Sequence, residues 1–146
     1  MMRLSRIIVL FTILLSAKSA GVVASEAAIA IVVAQNSTIE SISKRELIDV
    51  FMGRFDVLES GQKVQPVDYV NGSALRANFY RALVGKSERQ INAYWSRLIF
   101  SGRAKPPAQV DSISESVEFI LTNNTALSYI PVSNVSEEMK IVLVLE

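Results

Sequence analysis

The chain contains neither cysteine nor histidine, and only six glycines and four prolines in 146 residues. No disulfide framework can form, so the fold must rest on core burial. Thiol nucleophiles, Ser–His relays and the common zinc sites are closed as well, since each needs one of the two missing side chains. The sequence has no Walker loop and no dinucleotide fingerprint. Its carboxylates offer no convincing pair: Glu137-Glu138 reads as a solvated turn, and Asp56, Glu59 and Asp68 stand scattered near turns. The chain is therefore read as a binding protein and not as an enzyme, with no cofactor and no metal site.

Long apolar runs are also scarce after the first two dozen residues. Residues 1–24 read as a secretory signal, with Arg3 and Arg6 ahead of an apolar stretch at 7–15 broken only by Thr12. Val22-Val23-Ala24 supplies small residues for cleavage before Ser25. The stretch is shorter than the ~20 residues of an ordinary membrane span, so no membrane insertion is expected after cleavage. The alternative is an uncleaved anchor helix. No cysteine follows the signal to carry a lipid. Cleavage would remove Arg3, Arg6 and Lys18 but no acid, which takes the net charge from +1 to −2. A mildly acidic mature chain, residues 25–146, gives no case for nucleic-acid binding.

What remains is a mixed succession of strands and helices. Residues 28–34 (AIAIVVA), 64–70 (VQPVDYV), 126–130 (ALSYI) and 141–145 (IVLVL) read as strands, the second with an edge or irregular start at Pro66. Three capping boxes open helices: Ser43 with Glu46, Ser87 with Gln90, and Ser112 with Glu115. Leu47, Ile48 and Phe51 line the first of these. Ile91, Tyr94, Trp95, Leu98 and Ile99 line the second, and Ile113, Val117, Ile120 and Leu121 the third. A further helix carries Leu75, Phe79 and Leu83 at i, i+4 and i+8. Gly53, Gly85 and Gly102 fall where helices should stop, and residues 102–107 (GRAKPP) must be a loop. The fold class is α/β: a small mixed sheet flanked by helices.

The best candidate site is Asn71-Gly72-Ser73, between a predicted strand and a predicted helix. A helix N-terminus carries unpaired N–H groups that attract anions, and Gly72 lets backbone approach a ligand closely. Ser73 could donate its hydroxyl, the amides of Ser73 and Ala74 could face the anion, and Arg76 sits one turn in. The bland alternative is that Ser73 or Asn71 simply caps the helix. Arg103 with Lys105 is a weaker anion patch on a loop that otherwise reads as solvated. Tyr94 and Trp95 read as core.

Residues 43–54 (SKRELIDVFMGR), 66–79 (PVDYVNGSALRANF), 94–107 (YWSRLIFSGRAKPP) and 123–130 (NNTALSYI) resemble, in that order, segments of the phosphate-binding proteins of ABC transporters. The resemblance covers about residues 28–131. It implies one lobe of a type 2 periplasmic binding protein, a fold in which two α/β lobes close on an anion. By resemblance, Gly72 and Ser73 match a phosphate-binding Gly-Ser turn. Tyr69 stands where the family has arginine, Asn71 where it has aspartate, and Ala74-Leu75 where it has Gly-Thr. Thr125 and Ser128 replace two glycines of a later motif, the family's first phosphate loop is absent, and the chain is about half the usual length.

The resemblance thus implies a periplasmic protein whose ligand is phosphate or a related oxyanion, met by Gly72 and Ser73; the corner at the helix start adds Asn71, Ala74 and Arg76, with Arg103 as a second choice. Its partners would be an ABC permease, or a second lobe supplied by another chain or a second copy. The alternative is an accessory module that keeps the lobe and has lost high-affinity anion binding. An enzyme acting on a phosphorylated compound would need a metal-binding carboxylate cluster assembled by the fold.

Overall fold

A computed structural model describes residues 27–146. The predicted signal at residues 1–24 lies outside the described residues. Five strands and four α-helices follow one another as β1 (Ile29–Ala34), α1 (Lys44–Phe51), β2 (Gln65–Tyr69), α2 (Ala74–Val84), α3 (Glu88–Phe100), β3 (Ala108–Val110), α4 (Ile113–Thr122), β4 (Ala126–Pro131) and β5 (Met139–Leu145). The strands form one mixed sheet in the order β3-β2-β4-β1-β5. β2 runs parallel to both β3 and β4, while β1 runs antiparallel to β4 and β5.

The two faces are covered by different helices, and β4 shows which. Ser128 bonds to Ser116 of α4 across 2.7 Å. The next residue, Tyr129, points the other way, because side chains alternate along a strand. Its ring stacks on Phe79 of α2 at 3.7 Å and meets Phe51 of α1 edge-on at 5.7 Å. Strands sandwiched in this way must be apolar on both sides, and every residue of β1 is buried. The sheet edge β5 is buried only at Met139, Val142 and Leu145 along its length.

The capping residues behave largely as the sequence implies. Ser43 and Ser87 form complete boxes with Glu46 and Gln90. Ser112 caps α4 through the Glu115 amide, but Glu115 reaches past it and accepts the Asp111 N–H at 2.7 Å. The third box is therefore half a box, because the chain entering α4 from β3 presents the Asp111 amide to Glu115 instead. Gly53 takes φ +70° after α1 and Gly85 φ +66° after α2, both conformations that a Cβ disfavours.

Two elements depart from expectation. β3, not anticipated, begins directly after Pro106-Pro107, which supply no ladder donors, and is only three residues long. Of the two readings of Pro66, the edge does not hold, since β2 lies inside the sheet, but the irregular start does: Pro66 lies opposite Leu127 of β4 before the β3 partnership begins at Val67. The apolar stripe expected on α3 also ends early: Ile99 is 54% exposed and Phe100, beside it, 96% exposed.

Candidate functional site

At the carboxyl end of β2 the chain turns through Val70, Asn71 and Gly72 into α2. Gly72 adopts φ +88°, and no atom lies near the place where a Cβ would stand. Ser73 caps α2, its hydroxyl accepting the Arg76 N–H at 3.3 Å. The Ser73 N–H donates to the Val70 carbonyl. Asn71 is exposed, as is Ala74 at the first position of the helix.

Of the two amides expected to face an anion, that of Ser73 is spent on the Val70 carbonyl, and the neighbouring Gly72 amide is taken by a carboxylate of the protein. Gly72 N–H donates to Glu88 Oε1 at 2.8 Å, and the same oxygen accepts from Arg76 Nη1 at 3.1 Å. Glu88 can do this because it is the first residue of α3, which starts beside the first turn of α2. Arg76, placed on the expected helix, is not a free cation. It is 2% exposed, and its guanidinium also donates from Nε to Asp68 Oδ2 at 3.2 Å and from Nη1 to Asn92 Oδ1 at 3.1 Å. The guanidinium carbon lies 5.2 Å from the centroid of the Tyr80 ring.

Asp68 is the centre of this arrangement. It sits near the end of an inner strand, buried, and accepts the Tyr80 hydroxyl at 2.8 Å, the Tyr129 hydroxyl, its neighbour Tyr69 N–H at 2.8 Å, and Arg76. A buried carboxylate must be matched in this way, since an unpaired one costs several kcal/mol. Burial first, and the Asp68 charge second, push the Tyr80 hydroxyl well above its ordinary pKa, and Tyr129 likewise. Burial works against the charge on Arg76, but Asp68 opposes it and the guanidinium ends above its ordinary value. Two buried donors are left over. The Tyr69 hydroxyl faces Ser116 and Trp95 Nε1 faces Tyr80, neither with a hydrogen bond of ordinary geometry.

Beside the corner lies a cleft of about 380 Å³, bordered by Asn71, Arg76, Asn92, Trp95, Ser96 and Gln109. Arg103 is not part of it. That residue lies on the loop after α3 and borders an adjoining depression with Lys105, the two sharing Ile99 and Pro106 as a wall. The structure therefore gathers Asn71, Gly72, Ser73, Ala74 and Arg76 at one corner and leaves Arg103 elsewhere. Among the described residues no group of three or more acidic side chains could hold a metal ion, and no helix is long and apolar enough to cross a membrane.

Asp68, Glu88, Asn92, Tyr80 and Tyr129 are the residues that reasoning along the chain did not bring to this corner. One signal was present. Asp68 interrupts the apolar run 64–70, and an acid buried in a strand demands a cation. Arg76 shares a helical face with Phe79, Tyr80 and Leu83 at i, i+3, i+4 and i+7, which places that cation in the core.

With this geometry the chain matches solved phosphate-binding proteins. An ABC-type phosphate transport receptor from Vibrio cholerae is 20% identical, with a TM-score of 0.61 over 80% of this chain and 46% of that one. A candidate phosphate ABC transporter substrate-binding protein from Clostridium perfringens, solved with bound phosphate, is 16% identical, with a TM-score of 0.61 over 80% and 45%. PstS from Borrelia burgdorferi is 13% identical, with a TM-score of 0.54 over 73% and 42%. No protein-family model matches the chain, and no curated protein does. The fold is thus that of a lobe of the phosphate-binding proteins, and the chain spans less than half the length of the structures it matches.

Proposed function

We propose that this is an exported, non-catalytic module with the fold of one phosphate-binding lobe, working beside a partner and not capturing phosphate on its own. The observation that carries the reading is the Glu88 carboxylate, which takes both the Gly72 N–H and an Arg76 N–H. A tethered carboxylate competes with any dissolved anion at high effective concentration. An incoming phosphate would also have to shed its water against fewer free donors. The partner would be an ABC permease, a separate second lobe, or another copy of this chain, and the compartment would be the periplasm.

Isothermal calorimetry tests this directly. Wild-type protein is expected to give no heat with inorganic phosphate or sulfate at millimolar concentration. Glu88→Gln removes the competing charge and is expected to bind phosphate more tightly by about tenfold or more, as befits the loss of a charge-assisted contact. Wild-type heat with phosphate, weakened by Ser73→Ala and Arg76→Ala, would instead establish the second reading, a phosphate- or oxyanion-binding protein. That reading draws on the cleft beside Asn71 and Arg76, and on a helix start at Ala74 turned outward. Light scattering after size exclusion separates a monomer from a self-associated lobe.

A further inference from the structure

The last turn of α3 exposes what a helix normally hides. Phe100 is 96% exposed and Ile99 54%, and Phe55, on the loop after α1, is 65% exposed. Phe55 and Ile99 border the loop that follows α3, and Phe100 is the last helical residue before it. Phe55 shares a groove with Ala104, Lys105 and Pro106, and Ile99 borders a depression with Arg103, Lys105 and Pro106. The loop is held against the helix end by Arg103 N–H donating to the Leu98 carbonyl at 3.0 Å. Three exposed apolar side chains thus stand at or beside one loop.

The same region concentrates positive charge. From Arg89 to Val110 the sequence carries Arg89, Arg97, Arg103 and Lys105 and not one acid. From residue 106 to 139 it carries Asp111, Glu115, Glu118, Glu137 and Glu138 and not one cation. Among the described residues none of Arg97, Arg103 and Lys105 is in an ion pair, whereas Arg54 is held by Asp49 at 3.0 Å. Carboxylates flank Phe55: Asp56 shares its groove with Lys105, and Glu46, Asp49 and Glu59 border a second depression beside it, so the uncompensated positive charge lies on the Arg103–Lys105 side. Arg97 in the last turn also suits a helix C-terminus. That explanation does not extend to Lys105 or to the bare aromatic ring.

From this arrangement we infer that the α3 end and its loop form a docking surface for an anionic lipid bilayer, with Phe100 and Phe55 entering the headgroup region and Arg97, Arg103 and Lys105 meeting lipid phosphates. Charge complementarity selects the occupant. A second copy set against this face by a two-fold axis would oppose Arg103 and Lys105 with their own equivalents. An acidic protein would need a pocket for a ring that this chain leaves almost wholly uncovered, while a bilayer interface accepts such a tip without one.

Vesicle flotation tests the proposal on the full chain, every variant carrying the same N-terminus. Wild type is expected to float with vesicles of phosphatidylglycerol and phosphatidylcholine in equal parts, and about tenfold less with phosphatidylcholine alone. Salt at about 1 M, where the screening length is about 3 Å, should release it. The double substitution Arg103→Glu with Lys105→Glu is expected to lower binding about thirtyfold, and Phe100→Ser about tenfold. Circular dichroism melts confirm that these surface variants stay folded. No flotation of wild type, or flotation that both sets of substitutions leave unchanged, overturns the proposal. So does capture by immobilised polyglutamate without vesicle binding, which would assign the surface to an acidic protein.

Discussion

The two ends of α3 reverse the usual places of charged and apolar residues. At its start Glu88 and Asn92 reach inward to Arg76, a buried cation, and at its finish Phe100 stands in solvent. The first arrangement pairs the charges it buries and ties three elements together through Asp68. The second satisfies nothing within the chain. Burial of charge with full partnership is a structural device, and exposure of an aromatic without partnership leaves a surface free for something else.

The strongest way to break this contrast is at Asp68. Removing it in Asp68→Ala leaves the Arg76 charge and two tyrosine hydroxyls in the core without their acceptor. The expected loss is about 3–5 kcal/mol, read from urea unfolding, the usual cost of breaking one side of a buried pair. A loss under about 1 kcal/mol would mean that water or another group reaches the cluster.

Alkali probes the same cluster next. Burial and then the Asp68 charge hold Tyr80 and Tyr129 protonated in the folded state at pH values where the unfolded chain loses the proton. The unfolded state then binds fewer protons, so stability falls as pH rises. The stabilisation is complete below the ordinary tyrosine pKa near 10 and declines above it, by up to about 1.4 kcal/mol per pH unit for each tyrosine. Thermal melts of wild type between about pH 8 and 11 should therefore steepen downward above 10, and Tyr80→Phe should flatten that decline. Equal slopes in the two proteins would remove Tyr80 from the account.

The middle of α3 is pinned from across the fold. A Cβ built on Gly53 would lie 2.6 Å from Trp95 Cη2, at a backbone φ of +70°. Gly53→Ala should cost about 2 kcal/mol, from overpacking and strain together. Near-neutral stability in a denaturant titration would show that the indole swings aside, and that Gly53 does not pin the helix.

Much of this was legible residue by residue, and the limit is informative. Ser43, Ser87 and Ser112 announce helix starts because a cap is a local device, complete within four residues. The strand at 28–34 announces itself by unbroken apolar character and that at 126–130 by a run interrupted only at Ser128, since both of their faces are covered. β3 was illegible because three residues behind two prolines carry no pattern, and their pairing depends on Val67–Tyr69, about forty residues earlier. The Gly72 corner was legible as a helix start and as a turn. What fills it was not, because Glu88 is sixteen residues away and its first-turn position reads equally as a dipole partner for its own helix. Sequence locates the donors, and the fold decides who accepts from them.

The smallest expected effect is the most discriminating for the opening contrast. If Phe100 is free of structural duty, Phe100→Ser should change stability by less than about 0.5 kcal/mol, as for a surface position away from any special feature. The ring has almost no contact to lose, and serine tolerates the last position of a helix. Urea titration measures this alongside Phe79→Ser, where a ring stacked at 3.7 Å on Tyr129 is replaced and the protein is expected to unfold outright. A loss at Phe100 above about 1 kcal/mol would show that the ring packs within the chain after all. The α3 end would then be another part of the fold, and the distinction between its two ends would vanish.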